Sequence, residues 1–354
     1  MNIGGTNIGT KERPFVIAEL SGNHNGSLDR ALEIVHAAAE AGVQCIKLQT
    51  YRADTLTLDI KDGAFVISDP LSLWRGRSLH SLYDEAHTPW EWHEAIMQRA
   101  KEVGLICFSS PFDETAVDFL EALNAPAYKI GSFECIHLPL LRKVAATGKP
   151  VILSTGMASV AEIDEAVRTL RTHGCTDLAL LKCTSTYPST PENSNLATLP
   201  HLREMFGCEV GISDHTLGIG VSVAAVALGA AIIEKHFTLA RADGGVDSAF
   251  SMEPSEMKAL VEEVGRAHLS LGCVHYGPTA AEKSAVTRRR SIYLSRDVAA
   301  GEVLTTENTR IVRPGHGLEP RYQSLILGRR LRAFSSKGTA LTWDLLLQDN
   351  ADQA

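Results

Sequence analysis

None of the seven cysteines in this 354-residue chain is spaced C-x-x-C, and positions 45, 107, 135, 175, 183, 208 and 273 are scattered. Neither a disulfide framework nor a zinc knuckle is suggested, and the expected compartment is the reducing cytoplasm. No uncharged apolar run reaches 18 residues, so no membrane span and no membrane partner are expected. The opening MNIGGTNIGTKERP has no basic-then-apolar pattern and reads as a short exposed lead-in over residues 1–13 rather than a secretory signal. A surplus of basic residues is also missing: the formal net charge is -8, which argues against nucleic acid as a partner. The run Arg288, Arg289, Arg290 is read as a solvated turn. Finally, no G-x-G-x-x-G follows the first apolar segment, which weakens an open dinucleotide-binding sheet.

What remains is a repeat. From residue 14 to 272, apolar runs alternate with segments of helical period. The runs are FVIAEL (15–20), QCIKLQT (44–50), LICFSS (105–110), AYKIGS (127–132), VILSTG (151–156), LALLKCTS (178–185), EVGISDH (209–215) and AIIEKHF (231–237). Asp113 is placed to cap the helix after the third run, and Ser159 with Glu162 forms a capping box after the fifth. Eight strand–helix units without hairpin signals predict a closed (β/α)8 TIM barrel, an α/β fold. Residues 273–290 are polar and read as a linker. From residue 291 to 354, short strand-like runs (SIYLS, TRIVRPG, GRRLRAF, ALTWDLL) and turns predict a second, small, mostly-β domain. The insertion at 51–88, carrying Trp74 and Tyr83 just ahead of Trp90, reads as a lid over the barrel mouth.

Period two sorts each strand into an outward and an inward face. Apolar Ile46 and Leu48 turn Lys47 and Gln49 inward, and the same parity turns Lys129 inward. Glu19, Ser110, Ser154, Ser185, Ser213, His215, Glu234 and His236 all fall on inner faces near C-terminal strand ends, where barrel enzymes place their chemistry. Two inward ammonium groups call for anions. Glu19 and Glu234 could satisfy them structurally; the hydroxyls of Ser110, Ser132, Ser154 and Ser213 suit the oxygens of a phosphorylated or doubly anionic substrate. His215 and His236 leave adjacent strands at matching depth, and strands about 5 Å apart let two imidazoles share one ion. That open two-nitrogen site suits a divalent metal, Mn²⁺ ahead of Mg²⁺ or Co²⁺; a proton-shuttle pair is the alternative. Asp214 has the opposite parity and is placed outside the pocket. Glu134, in the turn after Lys129, is positioned to act as a general base toward water, and Asp247 sits in a Gly-bearing loop that could fold over a polyol.

At these residues the chain resembles the sialic acid synthase family. The matching pieces are AELSGNHNGS, KLQTY, FSSPFDE, AYKIGSFE, ILSTGM, CTSTYP, GISDHT, EKHFT and VRPGHG, in order along nearly the whole length. The resemblance implies an enzyme that joins phosphoenolpyruvate to an amino sugar. It implies that Lys47, Ser110, Lys129, Ser132, Ser154 and Ser213 hold phosphoenolpyruvate and that His215 and His236 hold the metal. Glu19, Glu134, His215 and His236 form the implied catalytic set, with Gln49, Tyr187, Asp247 and Arg313 contacting the sugar. Segments 71–93 and 239–254 resemble the branch that uses 2,4-diacetamido-2,4,6-trideoxy-L-altrose; Ser185 and the loop Gly244, Gly245, Val246, Asp247 depart from what N-acetylneuraminate synthases show. The C-terminal domain is similar to an antifreeze-like (SAF) domain, implying a homodimer in which it caps the partner's barrel. Arg289 stands where relatives place a phenylalanine of that cap. The rivals are a synthase of the same chemistry acting on the neuraminic or legionaminic precursor and a non-catalytic carbohydrate-binding protein.

Overall fold

The computed structural model describes residues 1–348. Eight parallel strands close into a barrel: β1 Phe15–Glu19, β2 Cys45–Thr50, β3 Ile106–Pro111, β4 Tyr128–Ile130, β5 Val151–Ser154, β6 Leu178–Cys183, β7 Glu209–Ser213 and β8 Ile232–His236. Each strand pairs with its sequence neighbours, and β8 closes on β1. Each is followed by a helix: α1 Leu28–Ala41, α2 His93–Glu102, α3 Glu114–Ala122, α4 Leu138–Ala145, α5 Val160–Thr172, α6 Thr198–Phe206, α7 Gly220–Ala227 and α8 Pro254–Leu271. The expected caps form. Asp113 accepts the backbone N–H groups of Thr115 and Ala116, and Ser159 with Glu162 closes a capping box at the start of α5.

Parity divides the strand side chains as period two demands. Outward Val16, Ala18, Ile46, Leu48, Ile130, Leu153 and Ile233 pack against the helices in one large apolar cluster. Inward Phe15, Ile17, Cys45, Phe108, Ala127, Ile152, Ala179, Leu181 and Ile232 fill the lower barrel. The polar inward residues therefore occupy only the upper layers, at the strands' C-terminal ends.

The lead-in is exposed at most positions but anchored at two. Asn2–Ile3 and Thr6–Asn7 pair as a hairpin, and Ile3 and Ile8 are buried in the same cluster as the lower barrel side chains. Gly4 and Gly5, both at positive φ, form the two-residue turn. Burying each isoleucine contributes about 2 kcal/mol, so the segment plugs the barrel's lower end.

The chain divides into two compact units, Met1–Gly272 and the part from Cys273 onward. In the second, residues 280–288 form a 3-10 helix. Ser291–Leu294 (β9) and Thr309–Val312 (β10) pair antiparallel. The runs GRRLRAF and ALTWDLL, expected as strands, contribute only isolated bridges such as Val303 to Arg330 and Leu331 to Leu346. They are anchored instead by single buried side chains, Leu331, Leu341 and Leu346, in a core with Ile292, Leu294 and Val298. Among the described residues no helix is long and apolar enough to cross a membrane.

Candidate active site

The buried centre of the barrel mouth is a four-charge network. Lys47 Nζ contacts Glu19 directly, lies 3.9 Å from Glu234 Oε2 and donates to Ser110 Oγ at 3.2 Å. Lys129 Nζ lies 3.3 Å from Glu234 Oε1, which also accepts from Ser213 Oγ at 2.8 Å. Strand register makes this possible: Glu19 is opposite Lys47, and Glu234 is opposite Ser213. The carboxylate pairing foreseen for the two lysines thus forms. Burial would raise the Glu234 carboxyl, but Lys129 and Lys47 outweigh it and hold this group below its ordinary value. Glu19 goes the other way, because burial exceeds what Lys47 returns and Glu234 adds repulsion. Two ammonium groups and only one firmly ionised carboxylate leave a site that favours a further anion.

The hydroxyls are distributed around it. Ser110 and Ser213 are engaged as described, Ser132 shares a 2.8 Å hydrogen bond with Ser185, and Ser154 Oγ is buried with no partner. An unpartnered buried hydroxyl costs stability unless something is bound there. Gly156, at φ +46°, lets the β5 loop pass this close: a Cβ there would come 2.4 Å from Ser132 Cβ and 2.7 Å from Ser185 Oγ. Gln49 is half-buried, opposite Ser110 in register.

His215 follows β7 and His236 ends β8, and their ring centroids are 5.5 Å apart. His215 Nδ1 donates to the Thr184 carbonyl at 3.0 Å, which leaves Nε2 with its lone pair free. His236 Nδ1 is buried without a hydrogen-bond partner, 3.8 Å from Asp247 Oδ2. Burial lowers both imidazoles from their ordinary value, and Lys129 lowers both further. Two neutral imidazoles with unclaimed nitrogens fit a divalent cation that keeps open positions. Among the described residues no group of three or more His, Cys, Asp or Glu gathers as a metal cluster, so water and substrate would complete the shell.

Glu134 follows Ser132 in the β4 loop. Burial raises its carboxyl to about 7, partly offset by Lys129, and its Oε2 has no partner. Asp247 is buried, accepts from the Ser21 hydroxyl, and is raised by burial. Tyr187 packs 4.5 Å from the His215 ring and 5.3 Å from Phe250, which itself lies 4.9 Å from His236. Phe250 escaped the sequence reading, because an apolar residue in a loop carries no periodicity. Asp214 points away from the pocket, as its parity predicts. Arg313 is exposed in the second unit, directly after β10.

Within the insertion, Trp74 reaches inward and donates from Nε1 to the Val246 carbonyl at 2.9 Å. Tyr83 packs edge-on to Tyr51, and its hydroxyl is raised by burial and by the charge of Glu134. Trp90 instead stacks on Phe119 at 4.6 Å and bonds the Tyr51 carbonyl, anchoring the insertion's base.

A barrel whose mouth gathers paired ammonium groups, hydroxyls and two neutral imidazoles defines an enzyme site for anionic substrates. Comparison with known proteins gives the class. The NeuB family model matches residues 34–276 and the SAF domain model residues 289–347. The chain belongs to the NeuB family, the sialic acid synthases, and carries a SAF domain. It is 41% identical over 334 residues to pseudaminic acid synthase of Helicobacter pylori, covering 94% of this chain and 97% of that protein. It is 38% identical to N,N'-diacetyllegionaminic acid synthase of Legionella pneumophila, covering 93% and 94%. The crystal structure of the N-acetylneuraminic acid synthetase of Leptospira borgpetersenii superposes with a TM-score of 0.72 at 31% identity, covering 81% of this chain and 94% of that one.

Proposed function

We propose that this enzyme condenses phosphoenolpyruvate with 2,4-diacetamido-2,4,6-trideoxy-L-altrose and water to give pseudaminic acid and phosphate. The observation that carries the reading is the union, in one buried mouth, of the Lys47–Lys129 pair with two neutral imidazoles, in a chain that aligns nearly end to end with pseudaminic acid synthase of Helicobacter pylori.

Lys47 and Lys129, with Ser110, Ser132, Ser154 and Ser213, hold the phosphate and carboxylate of phosphoenolpyruvate. Partly released from Glu19 and Glu234, the ammonium groups exchange carboxylate partners for substrate oxygens. Gln49, Tyr187 and Asp247 orient the open-chain sugar so that its aldehyde carbon faces C3 of phosphoenolpyruvate. His215 and His236 would hold a divalent cation, Mn²⁺ by preference; when bound, it supplies Lewis-acid polarisation of the aldehyde oxygen. As the new C–C bond forms, the enol electron pair is drawn from C2, which becomes oxocarbenium-like and is stabilised by the adjacent phosphate oxygen. Glu134 takes a proton from the water that adds to C2. Glu19, which burial inclines toward the protonated form, is placed to give a proton to the departing phosphate through Lys47 and Ser110. The C2–O bond to phosphate breaks as the C2 hydroxyl gives up its proton and becomes the ketone; that proton balances the one needed by the alkoxide formed at the former aldehyde oxygen, and phosphate leaves. The SAF domain would cap the partner's barrel in a homodimer and bring Arg313 to the sugar. We place the enzyme in the cytoplasm.

Phosphate release measured side by side with this sugar, the legionaminic precursor and N-acetylmannosamine tests the assignment. Turnover at least tenfold faster with the altrose derivative is expected; preference for another sugar would move the enzyme to that branch. Sugar binding without phosphate release would leave only a carbohydrate-binding role.

A further inference from the structure

We infer that Trp74 is a specificity-determining residue, supplying an aromatic wall that reads the methyl groups of a deoxygenated, diacetamido sugar. This deepens the function proposed above and rests on it.

The two segments whose resemblance points to this sugar branch, 71–93 and 239–254, lie far apart along the chain. The fold brings them into contact through Trp74, whose Nε1 donates to the Val246 carbonyl at 2.9 Å. That contact stands beside the imidazoles. The indole centroid is 6.1 Å from Tyr187 and 6.4 Å from Phe250, and those two rings lie 4.5 Å from His215 and 4.9 Å from His236 respectively. Trp74 is therefore one ring removed from both nitrogen donors, on a surface otherwise made of Tyr187 and Phe250.

The insertion has a choice of apolar residues to tuck in. In the run Leu71, Ser72, Leu73, Trp74, the two leucines are 90% and 51% exposed, whereas Trp74 is half-buried against the site. Its backbone is held for this. The Trp74 N–H donates to Ser72 Oγ at 3.2 Å, and the loop tip is closed by Gly76 N–H to the Ile67 carbonyl at 2.8 Å and Ile67 N–H to the Arg77 carbonyl at 3.0 Å. Gly76 supplies the left-handed φ of +85° that the closure requires. An indole fixed in this way offers apolar area at little entropic cost on binding.

The chemistry of the wall selects among sugars. Two acetamido methyls and the C6 methyl of the trideoxy sugar can lie on aromatic carbon without stranding a polar group. The indole N–H is already spent on Val246, so a 6-hydroxyl facing the indole would lose its water without gaining a partner from it. Discrimination by such a surface is modest, about tenfold to two-hundredfold.

The test compares wild type, Trp74→Phe and Trp74→Ala in phosphate-release kinetics with the trideoxy sugar and its 6-hydroxy analogue, with melting curves to confirm folding. For Trp74→Ala the KM for the sugar should rise about tenfold, the KM for phosphoenolpyruvate should stay within twofold, and preference over the 6-hydroxy analogue should shrink toward unity. Trp74→Phe, which keeps a ring but loses the bond to Val246, should retain most of the preference. A sugar KM unchanged in Trp74→Ala, or equal rises in both KM values, would overturn the assignment of Trp74 while leaving the reaction intact. A wild-type enzyme that releases no phosphate with any of the sugars would instead overturn the function on which the inference stands.

Discussion

Lys235 and Asp214 form a fully buried ion pair at 3.0 Å on the outward face of the barrel, each flanked in sequence by residues that line the pocket. Lys235 sits between Glu234 and His236, and Asp214 between Ser213 and His215. The lysine also donates to the Thr216 and Gly218 carbonyls at 2.6 and 3.0 Å, while Asp214 accepts from Thr216 and from Ser222 Oγ at 2.7 Å. The pair ties the end of β8 to the loop after β7 and so sets how far apart the two imidazoles stand. Lys235→Met leaves Asp214 buried and unpaired and is expected to cost about 3–5 kcal/mol. The double variant Lys235→Met with Asp214→Leu should lose less than the sum of the two single variants in a denaturation cycle.

Glu134 carries a pH prediction. Its carboxyl is raised from 4.5 to about 7 by burial, so it is protonated below that value and becomes available as a base above it. The kcat/KM profile should therefore climb between about pH 6 and 8. Glu134→Gln should lower kcat by about 10²-fold or more and abolish that ascending limb. The same shift has a stability sign. The folded state binds a proton between pH 4.5 and 7 that the unfolded chain does not, so stability falls as pH rises through this window. Glu134→Gln should accordingly melt higher than wild type at pH 8.

Ser154 separates binding from folding. Its buried hydroxyl has no protein partner, so Ser154→Ala should leave the melting temperature unchanged or slightly raised. A lost hydrogen bond to a charged group is worth about 1.5–3 kcal/mol, so the KM for phosphoenolpyruvate should rise by roughly tenfold to a hundredfold. Isothermal titration with phosphoenolpyruvate alone checks this.

Gly156 should tolerate no side chain. Gly156→Ala drives a methyl to 2.4 Å from Ser132 Cβ at a left-handed φ, so a loss of about 1–3 kcal/mol is expected. Because the nearest displaced atom is Ser132 Cβ, phosphoenolpyruvate binding should weaken more than sugar binding in steady-state kinetics.

His236 tests the metal. With Nδ1 buried and unpartnered, His236→Ala should eliminate chelator-sensitive turnover and weaken Mn²⁺ binding, read by paramagnetic resonance on the protein without substrates. Its far-ultraviolet circular dichroism should match wild type. Mn²⁺ binding equal to wild type would remove the imidazole pair from the metal site.

The barrel was legible because parity leaves a strong mark. Lys47 between Ile46 and Leu48, and Asp214 between Ser213 and His215, could each point only one way once the flanking residues chose their faces. Other features had no such mark. Ile3 and Ile8 looked like lead-in because two isolated isoleucines show no period, although Gly4–Gly5 between them was a usable turn signal. The runs GRRLRAF and ALTWDLL have strand composition but lack continuous partners, and pairing is a tertiary property. The contact of Trp74 with Val246 spans 172 residues, and no local pattern specifies which apolar residue of the insertion turns inward. An anion-binding mouth could be inferred from residue types; that the lysines rest on Glu19 and Glu234 meanwhile was one of two open readings until the register paired them.

The most direct measurement is the mass spectrum of the purified protein's reaction with phosphoenolpyruvate, the trideoxy altrose and Mn²⁺. The account predicts a single new acid with a nine-carbon backbone whose mass equals both substrates plus water minus phosphoric acid, appearing in step with free phosphate. Both substrates recovered unchanged, or phosphate released without a joined product, would contradict it.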